Sequence, residues 1–225
     1  MPITPIVVLR LLFWTAGVIS LYAKLDHNIL LNNIAVPFFT LSLLFIYYLE
    51  KGKDNIFYFS FVFCLLGDIM EMSDDFSYFI SGLMAYWGAS ILFSFALARE
   101  LDQPITKAIH SFSAAWPFVL YFIYYLLLMI IIQPTLGDVF IPISIYALTL
   151  AYACALSIFV YIKKRTKAVG YFCLGLTLLS VAASLIGLNR FYFDHQDLFA
   201  LETLFYIPTL YCIYLYFKHK QHAVP

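Results

Sequence analysis

Residues 63–76, FCLLGDIMEMSDDF, set two carboxylic acids, Asp68 and Glu71, inside an apolar run and two more, Asp74 and Asp75, at its end. A spacing of three places Asp68 and Glu71 on one helical face. Two acids that close, in a low dielectric, do not both ionise easily. One keeps its proton, and the pair presents an acid and a base at neutral pH. That is usable chemistry for hydrolysing an acid-labile bond. The competing structural reading has Asp68 hydrogen-bonding a neighbouring helix while Glu71 snorkels to the membrane interface. Glu202, about one turn into the last apolar run, suits either a catalytic role or an interior pairing with Arg190. Asp74 and Asp75 read as a solvated turn and an N-cap, and His195 as a solvated loop histidine. G-x-S-x-G, P-loop and H-E-x-x-H motifs do not occur. The four cysteines (Cys64, Cys154, Cys173, Cys212) lack metal-ligand spacing and read as small buried hydrophobes. No metal and no cofactor is expected.

The elements that must carry these groups follow from composition. Of the 225 residues, 64% are hydrophobic and 12% charged, against about 45–50% and about 25% in soluble domains. An integral membrane protein is expected. The net charge of zero argues against a nucleic-acid partner. Eight runs are long enough to span a bilayer: 6–23, 34–50, 55–72, 76–98, 112–133, 138–162, 168–188 and 197–217. Their continuous hydrophobicity excludes barrel strands, which alternate. The fold class is therefore all-α, a polytopic bundle of eight transmembrane helices. A faint repeat under a shift of 115 residues, Asp68 onto Ala183 and Phe76 onto Phe191, suggests two four-helix halves.

Lysine and arginine placement gives the orientation. Arg10, Lys51, Lys53, Arg99, Lys107, Lys163, Lys164, Arg165, Lys167, Lys218 and Lys220 fall on one side, and only Lys24 and Arg190 on the other. Both termini should therefore face the cytoplasm, in a plasma (inner) membrane. Asp68 then lies roughly 20 Å along the third helix, toward the outer leaflet. Exposing an acid to lipid costs a few kcal/mol. Asp68 is accordingly expected to face a polar cavity walled by the third, fourth, seventh and eighth helices, with Glu71, Ser90, Ser184, Asn189 and Glu202 available there. Gly67, Gly82 and Gly88 would let the third and fourth helices approach closely.

LLGDIMEM, FISGLMAYWGASILFSFAL and GLTLLSVAASLIGLNRF, on eight spans, resemble the YhhN-type lysoplasmalogenases. These are multispan hydrolases that cleave the vinyl-ether bond of lysoplasmalogens to a fatty aldehyde and a glycerophospho-head group. The family's Gly-Asp is matched by Gly67 and Asp68, its F-x-x-G-L by Phe79, Gly82 and Leu83, and its seventh-helix stretch in part by Ser184, Asn189 and Phe191. The resemblance implies a membrane-lipid substrate; under the hydrolase reading Asp68 and Glu71 would act as acid and base, with Arg190 or Asn189 near the lipid phosphate. The family's second aspartate falls on Ala183, the serine before it on Ala182, a histidine on Ser90, a lysine on Val36 and a glutamine on Thr209. Glu71, where the family is generally apolar, could stand in for the missing acid. Three functions stay open: an ether-lysolipid hydrolase, a non-catalytic lipid-binding or structural member, and a small-solute transporter.

Overall fold

The computed structural model describes residues 4–73, 75–105, 112–193 and 195–221. These form helices α1 (Pro5–Leu25), α2 (Ile29–Leu49), α3 (Asn55–Met70), α4 (Phe76–Ala98), α5 (Phe112–Leu136), α6 (Phe140–Lys164), α7 (Lys167–Leu188) and α8 (Gln196–Gln221), and no strand among the described residues. Six segments of the described residues are long and apolar enough to cross a membrane. One of them, Ala115–Lys164, covers most of α5 and all of α6, and the apolar α3 is shorter at 16 residues. The chain is an all-helical integral membrane protein. Within the long segment a 3₁₀ turn, Gly137–Val139, separates two helices that pack on each other. Gly137 takes φ +50° there, and a Cβ added to it would meet nothing within 4 Å; glycine adopts this conformation without steric cost.

The polar breaks in the sequence act as helix caps. Asn28 accepts from the Leu31 N–H, Asp54 from Ile56, Asp75 from Ser77 and Thr166 from Val169, each satisfying a donor that the first helical turn leaves unpaired. Hydrogen bonds from Ser77 also hold the exposed Asp75 carboxyl below its ordinary range. Asp74 and Lys107 lie outside the described residues. The clearest departure from the expected boundaries is in α2. It begins at Ile29 rather than near 34, so Asn32 and Asn33 sit on the helix instead of in a loop.

The two ends of the bundle differ in charge. At one end, the basic end, lie the start of α1 and the ends of α2, α4, α6 and α8. They are tied by the ion pairs Arg10–Glu50, Lys218–Glu50, Arg99–Asp54, Lys164–Asp102 and Lys220–Glu100. An aromatic core fills the adjoining half of the bundle. Phe57 stacks on Phe61 at 4.2 Å and Phe172 on Tyr216 at 4.3 Å, all four fully buried. At the opposite end, the acid end, α1 and α8 flank the ends of α2, α3 and α4 around a cavity.

Candidate functional site

Asp68 reaches its position because of the residue before it. A side chain at Gly67 would meet the Tyr86 ring at 2.6 Å; the bare glycine lets that ring lie across α3. Gly82, one turn earlier on α4, sits with its Cα facing the Gly67 carbonyl and Met70. The tyrosine hydroxyl then donates to Asp68 Oδ1 at 2.8 Å. Tyr206 of α8 donates to the same oxygen at 2.8 Å, and Thr40 of α2 donates to Oδ2 at 2.6 Å. The aspartate is 2% exposed. Three side-chain hydroxyls from three other helices therefore hold it, which meets the demand that a buried carboxylate be hydrogen-bonded.

The same Tyr86 hydroxyl lies 3.3 Å from Glu71 Oε2, so one phenol bridges both acids. Glu71 caps the C-terminus of α3 and is partly buried. Glu202, 4% exposed, is the third carboxylate of this end. It pairs with Lys24 at 2.8 Å rather than with Arg190, because the end of α1 lies beside the start of α8. Arg190 is turned away by a π-helical turn, Asn189–Phe193, and its guanidinium stacks 4.0 Å over the Phe79 ring. Single π turns are frequent at functional sites.

Asp68, Glu71, Glu202, Lys24 and Arg190 all line one polar cavity of about 300 Å³, together with Asn28, Asn32 and Asn33. That is far more room than the ~15 Å³ one water needs. Its walls differ from those expected. α1 and α2 supply much of the lining, and α7 contributes only through Arg190 just beyond its end. The early start of α2 is the reason, since it turns three asparagines into wall. Of the other residues singled out in the sequence, Ser90 donates to the Tyr86 carbonyl and lines a separate small buried pocket. Ser184 bonds Tyr124 and the Ser180 carbonyl. Asn189 is buried and accepts from the His195 N–H, and neither it nor Ser90 borders the chamber.

A second cavity adjoins the first and has the opposite character. It is an apolar cleft between α4, α5, α6 and α7, and it shares Glu71 and Tyr86 with the polar chamber. Ala183 and Ser184 lie on its wall. Val36 lines the polar chamber, and Thr209, fully buried, donates within the α7–α8 contact.

Sequence reasoning missed Tyr86, Tyr206, Thr40 and Lys24. Three of these belong to types too common in a membrane helix to stand out, with 18 tyrosines in the chain. Lys24 does carry a signal, as one of only two basic residues the sequence places at this end.

The fold and site define a class: an integral membrane bundle with buried carboxylates around a polar chamber that abuts an apolar cleft. A family model, the YhhN family, matches residues 32–216, so the chain belongs to that family. No curated protein and no solved structure matches it. The motif pieces that carried the resemblance meet in space. Phe79 packs edge-on against Phe191 at 6.0 Å and carries the Arg190 guanidinium on its face.

Proposed function

We propose that the protein is a lysoplasmalogenase-like hydrolase that crosses the membrane eight times, with both termini in the cytoplasm and the acid end in the outer leaflet. The observation that carries this reading is the pair of carboxylates bridged by Tyr86 where a polar chamber meets an apolar cleft. In vinyl-ether hydrolysis an acid protonates the chain-side alkene carbon, which turns the ether carbon into an oxocarbenium ion. Water adds to that carbon with loss of a proton, and the hemiacetal collapses to a fatty aldehyde and the glycerol hydroxyl. Glu71 borders both cavities, so it is the group able to reach the alkene carbon and donate. Asp68 borders only the polar chamber, which has room for water, and takes the proton from the attacking water. Lys24 and Arg190 are the cations at hand for the lipid phosphate. Ala183 lies on the cleft wall that Glu71 also borders, which supports Glu71 as the relocated second acid.

Purified protein given lysoplasmalogen in detergent should release fatty aldehyde, and Asp68→Asn should not. An intact protein that releases none would favour the second reading, a lipid-binding member without chemistry. That reading draws on the three hydroxyl bonds that hold Asp68 and on Ala182, Ala183, Val36 and Ser90. Orientation has its own check. A cysteine at Ser73 should react with a membrane-impermeant reagent added outside, and one at Thr166 should not; the reverse pattern overturns it.

A further inference from the structure

The apolar cleft has no part in acid–base chemistry, yet it opens onto the two groups, Glu71 and Tyr86, that chemistry would use. Its wall includes Leu83, Leu128, Ile143, Leu150 and Ala151. The eight-residue step from Ile143 to Ala151 along α6 gives it a length of about 12 Å, running from the acid end toward mid-bundle. Its wall also carries Tyr125, Tyr146 and Ser180, while Tyr124 and Ser184 are turned to each other at 2.6 Å, and most of the surface is hydrocarbon-like. Gly187 also lines it, and a side chain built there would meet nothing within 4 Å.

We propose that this cleft seats one hydrocarbon chain of an ether lysolipid, with Gly187 and Ala183 limiting how the chain packs. The inference rests on the hydrolase reading for the head-group end. The occupant follows from continuity: a guest must be polar where it meets Asp68, Glu202 and Lys24, and apolar beyond Tyr86. A single-chain amphiphile satisfies both. The small buried pocket that shares Tyr86 and Tyr206 with the chamber has about 10 Å³, too little for a second chain. The junction then sets the scissile bond, because the first carbons of the chain must pass Glu71.

The test uses a saturated ether lysophosphatidylcholine with a diazirine at the chain terminus. It lacks the vinyl-ether bond, so labelling does not depend on turnover. Adducts should map to α5, α6 and α7 around Leu128, Leu150 and Ala151 and be displaced by excess unlabelled ether lysolipid. Gly187→Leu, which displaces about two methylenes of chain, should lower competable labelling about tenfold. Ala183→Leu serves as a second variant should the first unfold, with thermal melting as the check. Adducts spread over outward-facing residues such as Val18 and Ile130, indifferent to competitor and to both variants, would overturn the chain site. Labelled cleft without aldehyde release from lysoplasmalogen upholds the chain site and removes the hydrolase reading. Aldehyde release with no competable labelling in the cleft does the opposite.

Discussion

At the basic end Glu50 is gripped by Arg10 at 3.1 Å, Lys218 at 2.6 Å and the Tyr214 hydroxyl at 2.6 Å. At the acid end Asp68, more deeply buried, is met by the hydroxyls of Thr40, Tyr86 and Tyr206, and the ion pairs there amount, among the described residues, to Lys24–Glu202. One carboxylate is neutralised by charge and ties three helix ends together. The other is held by three neutral hydroxyl dipoles in the wall of a cavity. Cation-paired carboxylates fasten a structure, because removing one partner strands the rest. A carboxylate held by hydroxyls in a cavity wall stays available for proton transfer. The difference predicts that substitutions at the two ends fail in different assays.

The largest effect is expected from Asp68→Asn. It should lower aldehyde release by about 10²–10⁴-fold, the usual contribution of a positioned acid or base, while melting in detergent shifts little. Turnover at the unmodified rate would erase the distinction between the ends. Glu50→Ala should do the converse, destabilising the protein by about 2–3 kcal/mol as Arg10, Lys218 and Tyr214 lose their shared partner. Turnover per folded molecule should be unchanged; a matching loss of both would show that the ends are coupled. Tyr206→Phe removes one of three donors to Asp68, worth about 1 kcal/mol, and should slow turnover roughly fivefold. It sharpens the comparison by asking whether the hydroxyl shell sets the reactivity of Asp68. The smallest effect belongs to Asp102→Ala. Asp102 is 89% exposed in its pair with Lys164, and such surface pairs contribute about 0–1 kcal/mol. A melting shift as large as that of Glu50→Ala would contradict the view that burial, not pair count, makes the basic end rigid.

Membrane character, helix positions within a few residues and the segregation of basic side chains were all legible without coordinates. Each depends on a bulk property: hydrocarbon solvates apolar side chains over about 20 residues, and charge collects where water is. Asp68 and Glu71 stood out for the same reason, as acids in an apolar run. Tertiary structure decided what surrounds them. Nothing in the spacing of Thr40, Tyr86 and Tyr206 says that their hydroxyls converge on one carboxylate, since they come from three helices and residues 40 and 206 are far apart in the chain. The pairing with Arg190 that was one of two alternatives for Glu202 gave way to Lys24, because helix ends brought together by packing outweigh nearness in sequence. The apolar cleft is likewise invisible in a chain that is hydrophobic nearly throughout. Hydropathy reports that a residue avoids water, and only packing decides whether it meets lipid, a neighbouring helix or a bound chain.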